Sequence, residues 1–106
     1  MSYKYMRVLI MFDLPVKTSA DRKEYNRFRK VLIKSGFMMM QKSIYCKLAP
    51  NGVSADSMIS FVRRQVPAKG VVQALKITEK QFAKIEYMIG TANSEVINSD
   101  ERLIFL

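Results

Sequence analysis

Histidine and tryptophan are absent from this 106-residue chain, and cysteine occurs once, at Cys46. Without histidine no side chain titrates near neutrality at its ordinary pKa, which removes the usual proton shuttle, histidine zinc sites and paired-histidine ribonuclease chemistry. A lone thiol excludes an intramolecular disulfide, and no metal-binding cysteine spacing exists. Cys46 sits in a strand-like run and reads as a small buried hydrophobe. Base reading looks weak without tryptophan or an aromatic-glycine pattern of the RNA-recognition type. Long apolar runs are lacking too. Val8 to Phe12 is too short for a signal peptide and ends in a charge, and nothing reaches membrane-spanning length. The expectation is a cytoplasmic protein with no membrane partner.

Acids are also scarce: nine, against 18 lysines and arginines, for a formal charge of +9. An excess of that size favours a polyanionic partner, of which nucleic acid is the commonest, over a merely solvated basic surface. The chain is 49% apolar, which argues against disorder. Its length suits one small domain, and a domain this apolar often buries surface in a dimer.

Tyr5 to Phe12 is nearly all apolar, with Arg7 the exception, and predicts a central strand covered on both faces. Pro15 stops it. Thr18 and Ser19 offer caps for a helix over Ala20 to Lys34, closed by Gly36. A twelve-residue β run follows, Phe37 to Leu48, with the consecutive Met38, Met39 and Met40 as core or interface filler. Pro50-Asn51-Gly52 turns the chain, and Ser54 is expected to cap a second helix, Ala55 to Val66, with Met58, Ile59, Val62 and Val66 as its apolar stripe. After Pro67, Gly70 to Ile77 predicts a strand and Thr78 to Gln81 a helical turn carrying Phe82. Ile85 to Ile89 fits a strand, or a helix by length. Arg102 to Leu106 is expected to form a last short strand. The order β-α-β-β-α-β with an added carboxyl-terminal strand predicts an α+β, ferredoxin-like fold: a domain over 1–90 and an extension over 91–106. That topology hosts many functions and decides none of them.

Two features carry chemistry. Asp13 alone among the acids directly follows a long buried-looking run. At a strand's carboxyl edge it suits a cation ligand facing an anionic polymer, and an aspartate before Leu14-Pro15 equally suits a turn cap. On the first helix Lys23, Arg27, Lys30 and Lys34 fall within roughly 60° of one another, with Arg22 and Arg29 on a flanking stripe. Tyr25, Phe28 and Leu32 lie opposite and should pack on the sheet. Only Asp21 and Glu24 could pair with these cations locally, so the row suits a phosphate backbone better than bare solvent. Arg63 and Arg64 end the second helix, where cations also suit the helix dipole.

Taken together, Met11-Phe12-Asp13-Leu14-Pro15, Arg22-Lys23-Glu24-Tyr25, Phe28-Arg29-Lys30-Val31-Leu32, Gly36-Phe37, Gln41-Lys42-Ser43-Ile44-Tyr45 and Thr78-Glu79-Lys80-Gln81-Phe82 resemble CRISPR-associated protein 2 over nearly the whole length. The Phe-Asp-Leu-Pro form and the hydrophobic tail look like members that accompany systems with a single large effector nuclease. The resemblance implies a homodimer whose carboxyl-terminal strand adds to the partner's sheet. It implies that Asp13, paired across the two-fold axis, is the catalytic and metal-binding residue for Mg²⁺ or Mn²⁺ in cleavage of RNA or DNA. It also implies the favoured role, bridging the integrase subunits (CRISPR-associated protein 1) on double-stranded DNA during spacer acquisition. Arg22, Lys23, Arg27, Arg29, Lys30, Lys34, Arg63 and Arg64 then become nucleic-acid-binding residues. A toxin-type endoribonuclease of the same fold is the alternative, and a small-molecule sensor would leave the charge unexplained.

Overall fold

The first strand alternates between two environments, and that alternation organises the molecule. In the computed structural model, which describes residues 5–91, β1 spans Met6–Asp13. Its even-numbered side chains, Val8, Ile10 and Phe12, are buried under helices. Successive residues of a strand face opposite sides, so Arg7, Leu9, Met11 and Asp13 share the other face.

Helix α1 (Ser19–Lys34) begins where Thr18 accepts from the Asp21 N–H while the Asp21 carboxylate accepts from the Thr18 N–H, a closed capping box. It ends in a Schellman motif. Phe37 N–H donates to the Leu32 carbonyl and Gly36 N–H to that of Ile33, with Gly36 at φ +94°, a conformation glycine adopts without penalty. As predicted, Phe28 and Leu32 are fully buried on the sheet, and Tyr25 packs against the core. Phe28 meets Phe12 edge-on, ring centroids 5.3 Å apart.

The β run after Gly36 is a hairpin. β2 (Met38–Gln41) and β3 (Ile44–Ala49) pair antiparallel across a turn at Lys42 and Ser43, with a register shift between Met39 and Gln41. α2 spans Gly52–Arg63, starting earlier than Ala55 because Asn51, not Ser54, is the cap: its side chain accepts from the Ser54 N–H. It also stops short of Val66, which lies beyond the helix and is exposed, while Val62 is buried. β4 (Val71–Thr78) follows, and Thr78 caps the single turn α3 (Glu79–Phe82) with a second capping box.

The sheet order is β2-β3-β1-β4, with every neighbouring pair antiparallel. Both long helices cover one face, where Ala55 and Val62 of α2 join Phe28 and Leu32 of α1 in one core. This is the expected α+β, ferredoxin-like arrangement. Two further expectations change. Ile85 to Ile89 forms no strand: it follows α3 as irregular chain with Met88 and Ile89 more than nine-tenths exposed, because no sheet edge among the described residues meets it. And β1 is covered by helices on one face only. The carboxyl-terminal strand at Arg102 to Leu106, with the rest of the extension from residue 92, lies outside the described residues.

Candidate nucleic-acid interface and the Asp13 edge

Asp13 is the last residue of β1, opposite Val71 of β4, with its side chain exposed. The chain then turns inward, burying Leu14 in the core. The side-chain caps of the described helices are Thr18, Asn51 and Thr78, so the turn-cap reading of Asp13 has no bond beneath it. The ion pairs among the described residues are Arg7–Glu79, Arg27–Glu24 and Lys76–Asp56, and none uses Asp13. Its carboxylate is open to an external cation.

The face that carries Asp13 has no helix layer. Met38, Leu48, Val71 and Leu75 lie on it at 41%, 45%, 54% and 47% exposure, beside the half-buried Met11 and Ile44. At the end remote from Asp13, α3 folds back onto it. There Arg7 donates to both Glu79 oxygens and stacks 4.4 Å over the Phe82 ring. The bond to Glu79 raises the Arg7 pKa, partly opposed by burial. Cys46 is buried beside Arg7, as its strand setting predicted, and burial pushes its thiol pKa up.

The predicted cations fall into two groups. Lys23, Lys30 and Lys34 point outward along α1 and are exposed, as are Arg63 and Arg64 at the end of α2. Arg29 is half-buried on the flank. Arg22 is exposed but folds back on the loop before α1, donating to the Val16 and Lys17 carbonyls at 3.2 and 3.0 Å. Arg27 is held by Glu24 and donates to the Gln65 carbonyl at 2.9 Å. That bond ties the middle of α1 to the end of α2, so the lysine row and the Arg63-Arg64 pair belong to one helix-side surface. Of the two nearby acids, Asp21 closes the capping box and Glu24 pairs with Arg27, which leaves Lys23, Lys30 and Lys34 outside the ion pairs among the described residues.

A hard divalent ion needs several oxygen ligands and keeps its waters. Among the described residues no group of three histidine, cysteine, aspartate or glutamate side chains gathers anywhere. One chain therefore supplies a single carboxylate and makes no metal site alone. Two chains meeting on the open face would supply two, which is a fitting if sparse donor set.

Residues 6–85 match the family model described as CRISPR associated protein Cas2. The chain belongs to the Cas2 family. It is 50% identical over 101 residues to the CRISPR-associated endoribonuclease Cas2 of Treponema denticola, covering 95% of this chain and 100% of that protein. It is 48% identical to that of Ligilactobacillus salivarius, again over 95% and 100%, and 44% identical to that of Streptococcus mutans serotype c, over 95% and 93%. A solved structure entitled "Crystal structure of cas2" superposes with a TM-score of 0.58 at 21% identity, covering 94% of this chain and 99% of that one, which supports the fold. No helix among the described residues of this Cas2 protein is long and apolar enough to cross a membrane. Sequence reasoning missed Gly70, where an added Cβ would stand 2.7 Å from the Asp13 carbonyl oxygen, and the open face as a distinct surface. The signal for the second was present: β1 is apolar on both alternations, and one helix layer can cover only one.

Proposed function

We propose that two copies of this Cas2 protein join through the open sheet face and grip a nucleic-acid duplex along α1 and the end of α2. The pair would hold double-stranded DNA between integrase subunits (CRISPR-associated protein 1) during spacer acquisition, a cytoplasmic role. The carboxyl-terminal residues would then add a strand to the partner's sheet. The observation that carries the binding half is the exposed row Lys23, Lys30 and Lys34, without acidic partners among the described residues. Such a row gains by meeting phosphates, because binding releases their condensed counterions. Binding should therefore depend on charge and shape with little sequence preference. The test is a duplex titration over a range of salt. Replacing Lys30 and Lys34 together by alanine should weaken affinity about equally for unrelated duplexes and lower the log K against log salt slope by about 1.8. An unchanged slope would remove α1 from the interface.

The relatives named as endoribonucleases support a second activity in the same molecule. Asp13 is the proposed catalytic residue, and the Asp13 carboxylates of two copies would hold Mg²⁺ or Mn²⁺. A bound ion would supply an activated water near neutral pH. With no histidine in the chain, Asp13 is the exposed acid best placed to orient a nucleophile at the strand end. Asp13→Asn should abolish divalent-dependent cleavage of RNA or DNA while the fold and dimer persist. Cleavage that survives this change would place the chemistry elsewhere. A toxin-type endoribonuclease would instead retain its role with no integrase present, so co-purification with the integrase separates the two readings.

A further inference from the structure

We propose that Gly70 is a positioning residue that sets the Asp13 carboxylate. The inference rests on the reading of Asp13 as the catalytic group. β4 begins at Val71, opposite Asp13 in the ladder, so residue 70 passes directly beside the last peptide of β1. Gly70 has φ +94°, and a Cβ built on it would stand 2.7 Å from the Asp13 carbonyl oxygen, 2.8 Å from Leu14 Cδ2 and 3.1 Å from Leu14 Cα. The Leu14 methyl can rotate away. The carbonyl and Cα cannot yield without moving the Asp13–Leu14 peptide.

That peptide has somewhere to go. Leu14 and Pro15 line a cleft of about 240 Å³ with Tyr25, Pro67 and Lys69. A side chain at position 70 would displace the Asp13–Leu14 peptide, and rotation of that peptide turns the Cα–Cβ bond that carries the carboxylate. Asp13 takes part in none of the ion pairs among the described residues, so the backbone is what sets the direction of its Cα–Cβ bond, and a side chain at position 70 would bear on that backbone. A displacement of about 1 Å at a reacting group can cost on the order of a hundredfold in rate.

Backbone strain and contact can be told apart with glycines of this same chain. Gly90 has φ +86° and nothing within 4 Å of its built Cβ, and Gly36 has φ +94° but meets only the flexible end of Lys47, at 3.3 Å. Alanine at either of these carries the conformational penalty without touching Asp13.

The experiment compares wild type, Asp13→Asn, Gly70→Ala, Gly70→Ala with Leu14→Ala, Gly36→Ala and Gly90→Ala, full chain, on a labelled RNA oligonucleotide with Mg²⁺. Leu14→Ala removes the Cδ2 contact but truncates a core side chain, so the double variant is read against Leu14→Ala alone, each chain first shown to be folded by its urea midpoint. Gly70→Asn, whose side chain tolerates positive φ, brings in the same Cβ if Gly70→Ala does not fold. The Gly70 variants are expected to lose kcat by about tenfold or more with KM within about twofold, whereas Gly36→Ala and Gly90→Ala keep both. Carbonyl and carboxyl ¹³C shifts of Asp13 should move in the Gly70 variants alone. Wild-type kcat and unmoved Asp13 shifts in a folded Gly70 variant, with Asp13→Asn inactive, overturn the positioning role by itself. Cleavage that is absent from wild type or survives Asp13→Asn overturns the catalytic reading and takes this inference with it.

Discussion

Arg7 and Glu79 meet in a two-pronged ion pair, Nε to Oε1 at 2.6 Å and Nη2 to Oε2 at 3.1 Å, that fastens α3 to the sheet. Arg7 is the one cation in β1, and its guanidinium is further shielded by the Phe82 ring. Removing the carboxylate leaves a half-buried cation with half its hydrogen bonds. Glu79→Gln should therefore cost about 1–2 kcal/mol in chemical denaturation, whereas Arg7→Met, which removes the charge and keeps the stem, should cost less. A larger loss for Arg7→Met than for Glu79→Gln would show that guanidinium packing on Phe82, not the ion pair, holds α3.

Cys46 gives a pH dependence with a definite sign. Burial raises its pKa above the ordinary thiol value of 9.0, so the folded chain holds the proton more tightly than the unfolded chain. That contribution to stability is fully present below the unfolded value and is lost as pH rises above it. Urea midpoints should fall as pH rises above 9.0 by more in the native sequence than in Cys46→Ala. The same burial predicts slow alkylation by iodoacetamide at neutral pH, since the thiolate is the nucleophile. Rapid labelling of the folded chain would contradict the placement.

Arg27 and Lys30 lie on the same basic row but should behave differently. Arg27 already holds Glu24 and the Gln65 carbonyl, so its loss loosens the contact between α1 and α2. Lys30 is exposed and makes no such bond. Arg27→Ala is expected to lower stability by about 1 kcal/mol with a small effect on duplex affinity. Lys30→Ala should leave stability within about 0.5 kcal/mol and flatten the salt slope by about one phosphate contact. Thermal melts and duplex titrations on the same two variants decide between them.

Local signals explain what the sequence made legible. α1 announces both its ends, through Thr18 with Asp21 three residues on and through Gly36 after the last apolar turn. The capping box at Thr78 is equally local. The hairpin break at Lys42-Ser43 is only weakly marked, because Ser43 is a weak turn former and no glycine, proline or asparagine stands beside it. Asn51 and Ser54 are both good caps, and only the folded geometry chooses between them. Of the candidate site, the basic row and Asp13 could be read from residue type and spacing. The bond of Arg27 to the Gln65 carbonyl and the closeness of position 70 to the Asp13 carbonyl arise between segments far apart in sequence, where periodicity carries no information, and the local bonds of Arg22 to Val16 and Lys17 depend on how the loop before α1 turns.

Leu75 tests the pairing of copies most directly. It lies on the open face beside Leu9 in the β1–β4 ladder and is 47% exposed. In a lone chain a charge there meets water, so Leu75→Glu should fold with stability within about 0.5 kcal/mol of the native sequence. In a pair joined on this face the same carboxylate would be buried without a partner, at a cost of several kcal/mol. Each 1.4 kcal/mol is tenfold in the dissociation constant, so the dimer should weaken by at least a hundredfold. Sedimentation equilibrium of the two proteins measures this. If Leu75→Glu stays as dimeric as the native chain, the open face is not where the copies meet. The paired Asp13 carboxylates would then lose their geometry as well, because residues on that face can meet only if the face itself is shared.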